Sequence, residues 1–312
     1  MIERRTLVTG LGALWLGGCA SSSGSTPGDR PAPAPSASTA GTCDGSGRFT
    51  VTVRGRGPDV VLVPGLVSST APFEATAARL EASHRVHLVQ VAGFAGAPIG
   101  ANAGPGPHLP GLAGALSDYI GCVGGPVSLI GHSMGGLTGL IVAATAPQRL
   151  ARLMIVDALP FFSVLIDPNA TAESIRPMAE GTAGFILAQP DAAFRAGQER
   201  TIRTLVKNPD WQGRALEASL ASDRGLMAAV TAEVMQTDMR PRLASITVPT
   251  TVLYAWDAAM PAPPAAVERL YQTNYASLPG VRLERIDNAL HFIMVDQPEA
   301  FAAAVDRFLA TP

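Results

Sequence analysis

Ser133 stands in the run SLIGHSMGG (128–136), with Gly131 two residues before it and Gly135 two residues after. A serine hydroxyl becomes a useful nucleophile when a base takes its proton, a third group orients that base, and donors await the oxyanion. The G-x-S-x-G spacing suits a serine lifted out on a sharp strand-to-helix turn, where glycine on either side prevents steric collision. The helix start would also place N–H groups and a partial positive charge beside the reacting centre. The amide of Met134 is the expected first oxyanion donor. The second is expected from Leu66 in PGLVSST (64–70), where Gly65 lets the chain turn toward the site.

A base must come from five histidines: His84, His87, His108, His132 and His291. His84 and His87 flank the start of a strand, and His132 points away from the nucleophile by alternation at the turn. His108 lies in a Gly/Pro loop without a nameable partner. His291, in IDNALHFIMVDQPEAF between the last strand and the last helix, is the favoured base. The acid that orients the imidazole should end a strand, and two aspartates do so: Asp157 in LMIVDALP and Asp257 in VLYAWDAAMP. Both give the chain order Ser…Asp…His. Asp257 is preferred for its spacing to Pro261 and its place in the strand just before the final one. Asp157 is the alternative, read otherwise as a carboxylate at the entrance to a cap.

These residues need a scaffold. β-rich runs fall at 49–55, 59–65, 85–93, 126–133, 152–158, 249–256 and 281–287, and the middle ones are almost wholly apolar. Such runs fit parallel strands covered on both faces. Helical patterns at 72–83, 110–121, 135–146, 262–275 and 297–310 alternate with them, which implies an α/β fold with right-handed crossovers. Ligands in such sheets bind beyond the carboxyl ends of the strands. Between RLMIVDA and PTTVLYAW the rhythm breaks for about ninety residues of helical periodicity, too long for an ordinary crossover. Segments 171–188, 190–207, 213–221 and 223–236 are read as a helical cap over the strand ends, spanning about 159–244.

With four motifs in order, VLVPGLVSS, LIGHSMGG, LYAWDAAMP and ALHFIMVDQPEAF, the chain resembles the α/β-hydrolase superfamily over essentially all of residues 48–312. The resemblance implies a mostly parallel sheet with helices on both faces and the cap inserted after strand 6. It implies a Ser133–His291–Asp257 triad working through an acyl-enzyme, with no cofactor and no metal. A carboxylic-ester hydrolase is the leading reading, with a small-molecule or lipid-like ester as substrate. Carbon–carbon bond hydrolysis, amide cleavage and perhydrolysis are alternatives on the same fold, and a non-catalytic ligand-binding lipoprotein is the reading from another class. The Gly/Ala-rich stretch 91–106 replaces a loop that commonly holds an aspartate, so it is expected to be mobile and to shape the entrance.

The remaining features concern location. Arg4-Arg5 and the apolar run TLVTGLGALWLGG, ending at Cys19, read as an export signal over residues 1–19. LGGC resembles a bacterial lipobox, which makes Cys19 the expected site of a lipid anchor to a membrane. RRTLV resembles a twin-arginine signal. Residues 20–46, rich in Ser, Gly, Pro and Ala, read as a flexible tether ahead of a domain at 47–312. Cys43 and Cys122 then form an even pair, and a bridge is expected in an oxidising compartment. A net charge of −2 with no basic stripe argues against nucleic acid as a partner. The oligomeric state is not legible.

Overall fold

The computed structural model describes residues 43–310. Arg4-Arg5, Cys19 and residues 20–42 of the expected tether lie outside the described residues. Seven strands form one sheet: β1 (Phe49–Gly55), β2 (Asp59–Val63), β3 (Arg85–Val91), β4 (Val127–His132), β5 (Leu150–Val156), β6 (Thr250–Trp256) and β7 (Arg282–Asp287). Their order across the sheet is β1-β3-β2-β4-β5-β6-β7, and only β1 runs antiparallel to its neighbour. The helices are α1 (Glu74–Leu80), α2 (His108–Cys122), α3 (Met134–Thr145), α4 (Ala172–Ala188), α5 (Asp191–Leu205), α6 (Pro209–Leu220), α7 (Arg224–Gln236), α8 (Pro264–Tyr275), α9 (Ile293–Asp296) and α10 (Pro298–Ala310).

Alternation along each strand divides the core between two faces. Val61, Val63, Leu129, Leu153 and Ile155 face one side and pack with Leu116 of α2, Leu140 of α3 and Tyr275 of α8. Val60, Leu62, Ile130, Met154 and Val156 face the other and pack with Leu80 of α1 and Phe301 and Phe308 of α10. All ten of these strand side chains are fully buried. Burial on both faces is why the strands read as unbroken apolar runs. Each such side chain contributes about 1.5–3 kcal/mol through removal from water.

Helices α4 to α7 form the cap, which is inserted between β5 and β6, one strand earlier than the expected place after strand 6. The starts of α4, α6 and α7 are set by side chains that take up free helix amides. Thr171 and Ser174 form a capping box at α4, Asn208 caps α6 and Asp223 caps α7. The cap docks on the start of α2 through Glu233 of α7, whose carboxylate accepts from the His108 and Leu109 amides at 2.7 Å. A carboxylate at that position also meets the positive end of α2.

The stretch 91–106 is held rather than loose. The Gly96 amide donates to the Ala221 carbonyl at 3.1 Å, the Ala95 amide to Ser222 Oγ at 2.8 Å, and the Asp223 amide to the Gly93 carbonyl at 2.7 Å. Glycine content here serves tight turning, since Gly93, Gly96 and Gly100 have positive φ, and the cap satisfies the turned backbone. Cys43 and Cys122 are joined in a disulfide with Cα atoms 5.6 Å apart. It ties the chain ahead of β1 to the end of α2.

Candidate active site

The strand order reverses direction between β2 and β4, since the chain lays β3 on one side of β2 and β4 on the other. Beyond the carboxyl ends of strands at such a switch point lies the crevice where open α/β sheets bind ligands. Gly65 and Leu66 follow β2 there, and Ser133 follows β4.

Ser133 has φ 53° and ψ −120°, a conformation that L side chains rarely adopt. Such a residue costs on the order of 1–3 kcal/mol and persists where its surroundings over-determine it. Here the Ser133 amide donates to the Val156 carbonyl at 2.9 Å, and the Leu137 amide donates to the Ser133 carbonyl at 3.0 Å. One bond anchors the turn to β5 and the other starts α3. A Cβ on Gly131 would lie 2.3 Å from the Gly135 carbonyl oxygen, and one on Gly135 would lie 2.3 Å from the Val63 carbonyl oxygen. The two motif glycines let the turn close on itself and on the end of β2. Gly65 passes so near that a Cβ there would stand 3.1 Å from both Ser133 Cβ and His132 Nδ1. Leu66 and Met134 thus sit on the two segments that meet at Ser133, and Met134 is the first residue of α3.

His291 lies between β7 and α9, with its side chain 22% exposed. Its Nδ1–H donates to Asp157 Oδ2 at 2.7 Å. Nδ1 is thereby the protonated nitrogen, and Nε2 is left as the acceptor. The loop carrying it is fixed from beneath by His132, whose Nε2–H donates to the His291 carbonyl at 3.0 Å. The two imidazole rings lie 4.6 Å apart. Burial, and then the charge of His291, push the His132 pKa well below its ordinary value, so His132 is a neutral tether. His132 thus reaches the loop that carries His291, a role the sequence gives no signal for.

The geometry separates the two candidate acids. Asp257 does not face His291; its Oδ2 accepts from Lys207 Nζ at 2.5 Å and its Oδ1 from the Ala259 amide at 2.8 Å. The Lys207 hydrogen bond, outweighing burial, holds the Asp257 carboxyl below the usual carboxylate range. The reason is the cap: Lys207 follows α5 and reaches down onto the end of β6. Asp157 takes the place beside the imidazole. It follows β5 with φ 50°, and its amide donates to the Leu253 carbonyl at 2.8 Å. Its Oδ1 accepts from the Ala255 amide and the Tyr271 hydroxyl, both at 3.0 Å. Both carboxylate oxygens are thus in use.

Asp296 of α9, also unmarked by the sequence, holds this edge together. Its Oδ1 accepts from the Lys207 and Asn208 amides and its Oδ2 from the Leu290 amide, so one carboxylate ties the cap to the base loop. The other histidines are engaged elsewhere. His87 is buried between Asp59 and Tyr119, His84 meets Ser83, and His108 opens α2. A cavity with room for about one water lies between Phe94, Met134, Leu226 and Val230, with His108 on its wall.

Residues 60–304 match the model of the alpha/beta hydrolase family. A pimeloyl-[acyl-carrier protein] methyl ester esterase of Aeromonas salmonicida is 29% identical over 267 residues, covering 82% of this chain and 96% of that protein. One of the same name from Aromatoleum aromaticum is 30% identical over 270 residues, covering 80% of this chain and 97% of that protein. Among solved structures, the enol-lactonase of Burkholderia xenovorans LB400 superposes with a TM-score of 0.69 at 20% identity, covering 86% of this chain and 99% of that one. A thermophilic esterase of Thermogutta terrifontis gives a TM-score of 0.69 at 21% identity, covering 84% and 92%. Sheet order, the strained serine turn and the family match agree: the chain belongs to the alpha/beta hydrolase family.

Proposed function

We propose that the protein is a serine hydrolase of carboxylic esters, with Ser133 as nucleophile, His291 as base and Asp157 as the acid that orients it. The observation that carries this reading is the His291 Nδ1–H···Asp157 Oδ2 bond at 2.7 Å, taken together with a serine held at positive φ in the G-x-S-x-G turn. The methyl ester esterases among the relatives support an ester as substrate.

In this mechanism His291 Nε2 takes the Ser133 proton as Oγ bonds to the ester carbonyl carbon. The carbonyl π pair moves onto oxygen, and the Leu66 and Met134 amides stabilise that charge. Collapse breaks the bond to the alcohol, which leaves with the proton from His291. Water then attacks the acyl-enzyme with His291 as base, and the acid departs as Ser133 regains its proton. Asp157 stays ionised throughout and stabilises the imidazolium.

The full-length protein is expected to hydrolyse p-nitrophenyl acyl esters and to be labelled by a fluorophosphonate probe. Ser133→Ala should lose both. Wild-type turnover in that variant would overturn the mechanism, and an unlabelled wild-type serine would favour a binding protein.

We further propose that the chain is exported and lipid-anchored through Cys19. The Cys43–Cys122 disulfide supports an oxidising compartment. Radiolabelled palmitate is expected to enter the wild type and not Cys19→Ala; equal labelling would remove the anchor.

A further inference from the structure

The acid at the end of β5 has a second partner with no part in the mechanism above. Tyr271, on α8, donates its hydroxyl to Asp157 Oδ1 at 3.0 Å, on the oxygen opposite the one that receives His291. Its ring is stacked against Tyr254 of β6, with centroids 4.4 Å apart, and lies parallel to that of Tyr275, with centroids 6.4 Å apart. The hydroxyl of Tyr275 goes elsewhere, to the Ala158 carbonyl at 2.8 Å. Three tyrosines therefore line up behind the acid, and one of them touches the carboxylate.

We propose that Tyr271 is a positioning residue of the triad: it fixes the Asp157 carboxylate in the plane that meets His291 and sets how much negative charge the imidazole feels. The proposal rests on the reading of Asp157 as the triad's acid. A carboxylate shares its charge between its two oxygens. A donor on Oδ1 draws charge toward that oxygen and weakens Oδ2 as a partner for the imidazolium. Tyr271 can hold this role because burial, and then the Asp157 charge, push its phenol far above the ordinary range, so it remains a donor. Its ring has little freedom between its neighbours, so the donor stays aimed. A lysine at this place would take the carboxylate's charge for itself, as Lys207 does at Asp257.

The titratable surroundings are few. Asp157 faces His291 from β5, and His132 faces it from β4. Tyr254 of β6 and Tyr271 and Tyr275 of α8 stand behind the acid. Beyond Tyr254 are Glu268 of α8 and Arg285 and Asp287 of β7, all three acting on Tyr254.

Tyr271→Phe keeps the stacked ring and removes the hydroxyl. With the donor gone, Oδ2 carries more charge, the imidazolium is favoured, and the acid limb of the kcat/KM profile should move to higher pH by about half a unit. kcat should fall by about three- to tenfold, because the carboxylate loses the donor that fixes its plane and this outweighs its added charge, with KM within about twofold, since the change lies behind the base and not in the substrate's path. A 3-fluorotyrosine at position 271 has almost the same shape and is a stronger donor, so it should move the limb to lower pH. Tyr275→Phe, the control in the same stack, should leave the limb in place. A Tyr271→Phe profile that superposes on the wild type, with or without a lower melting temperature, would make Tyr271 merely structural and overturn the proposal. So would a shift to lower pH in that variant or to higher pH with 3-fluorotyrosine. Asp157→Asn separates the two readings. Full activity there would sink the triad itself, whereas an inactive Asp157→Asn with an unmoved Tyr271→Phe profile sinks only the role of Tyr271.

Discussion

The ends of β5 and β6 make a matched pair. Each is a buried parallel strand that stops at an aspartate beyond its carboxyl end, and each aspartate receives a backbone amide and one side-chain donor besides. At Asp157 that donor is a neutral phenol, and His291 takes the remaining oxygen. At Asp257 it is an ammonium, and no imidazole arrives. The difference teaches that a strand end supplies a carboxylate but does not decide its use. What decides is the partner sent from elsewhere. A phenol leaves the charge available to a base, whereas Lys207 neutralises it and turns the carboxylate into a fastening for the cap. Neighbourhood in the sheet works in the same direction, since β5 lies directly beside the strand that ends in Ser133 and β6 lies one place further out.

The sharpest test exchanges the charge at each end. Asp157→Asn should lower kcat by about 10³–10⁴-fold, because the amide would favour the wrong imidazole tautomer and could not stabilise the imidazolium. Asp257→Asn should leave kcat within about threefold, in line with a carboxylate that touches no reacting group. A reversal of these two results would return the acid to β6. A smaller effect comes from Lys207→Met, which leaves Asp257 buried without its counter-charge. It should cost about 1 kcal/mol in urea unfolding, a modest figure because Lys207 is 41% exposed and water reaches the pair. Adding Asp257→Asn to Lys207→Met should recover part of that loss.

The smallest effect is a pH dependence. The folded-state pKa of Asp257 lies below its ordinary 3.8, so its contribution is fully present above that value and fades as pH falls through the folded one. The stability gap between wild type and Asp257→Asn should narrow on acidification below about pH 4, as read from urea midpoints. A gap that stays constant from pH 6 to the acid range would mean that Lys207 does not hold the carboxylate in its ionised form.

Much of this was legible in the chain. Apolar runs marked the inner strands, where a sheet covered on both faces leaves little polar alternation, and shorter β-rich runs marked the half-exposed edge strands β1 and β7. SLIGHSMGG announced its own turn, since its glycines answer to contacts within a few residues and with the end of β2. His291 stood out by elimination among five. The choice between Asp157 and Asp257 could not be made the same way. Both sit in nearly identical local patterns, and the groups that distinguish them, Tyr271 and Lys207, lie 114 and 50 residues away from their aspartates. Pro261, which favoured Asp257, is a mark of the turn and not of the partner. The Gly/Ala run at 91–106 misled in another way. Its composition signals freedom of the isolated chain, while the bonds that hold it come from Gly47 and Arg48 on one side and from Ala221, Ser222 and Asp223 of the cap on the other.

The Cys43–Cys122 bond also sets the route by which the domain bears a pull on its leading end. Tension applied ahead of Cys43 crosses the sulfur bridge to the end of α2 and continues along the chain from there. The two cysteines stand 79 positions apart, and the loop between them, which contains β1, β2 and β3, lies outside the line of force. Without the bridge the same pull would reach β1 first, an edge strand paired on a single side, and would peel it from β3. With it, the end of β2 that brings Leu66 to Ser133 is shielded from load.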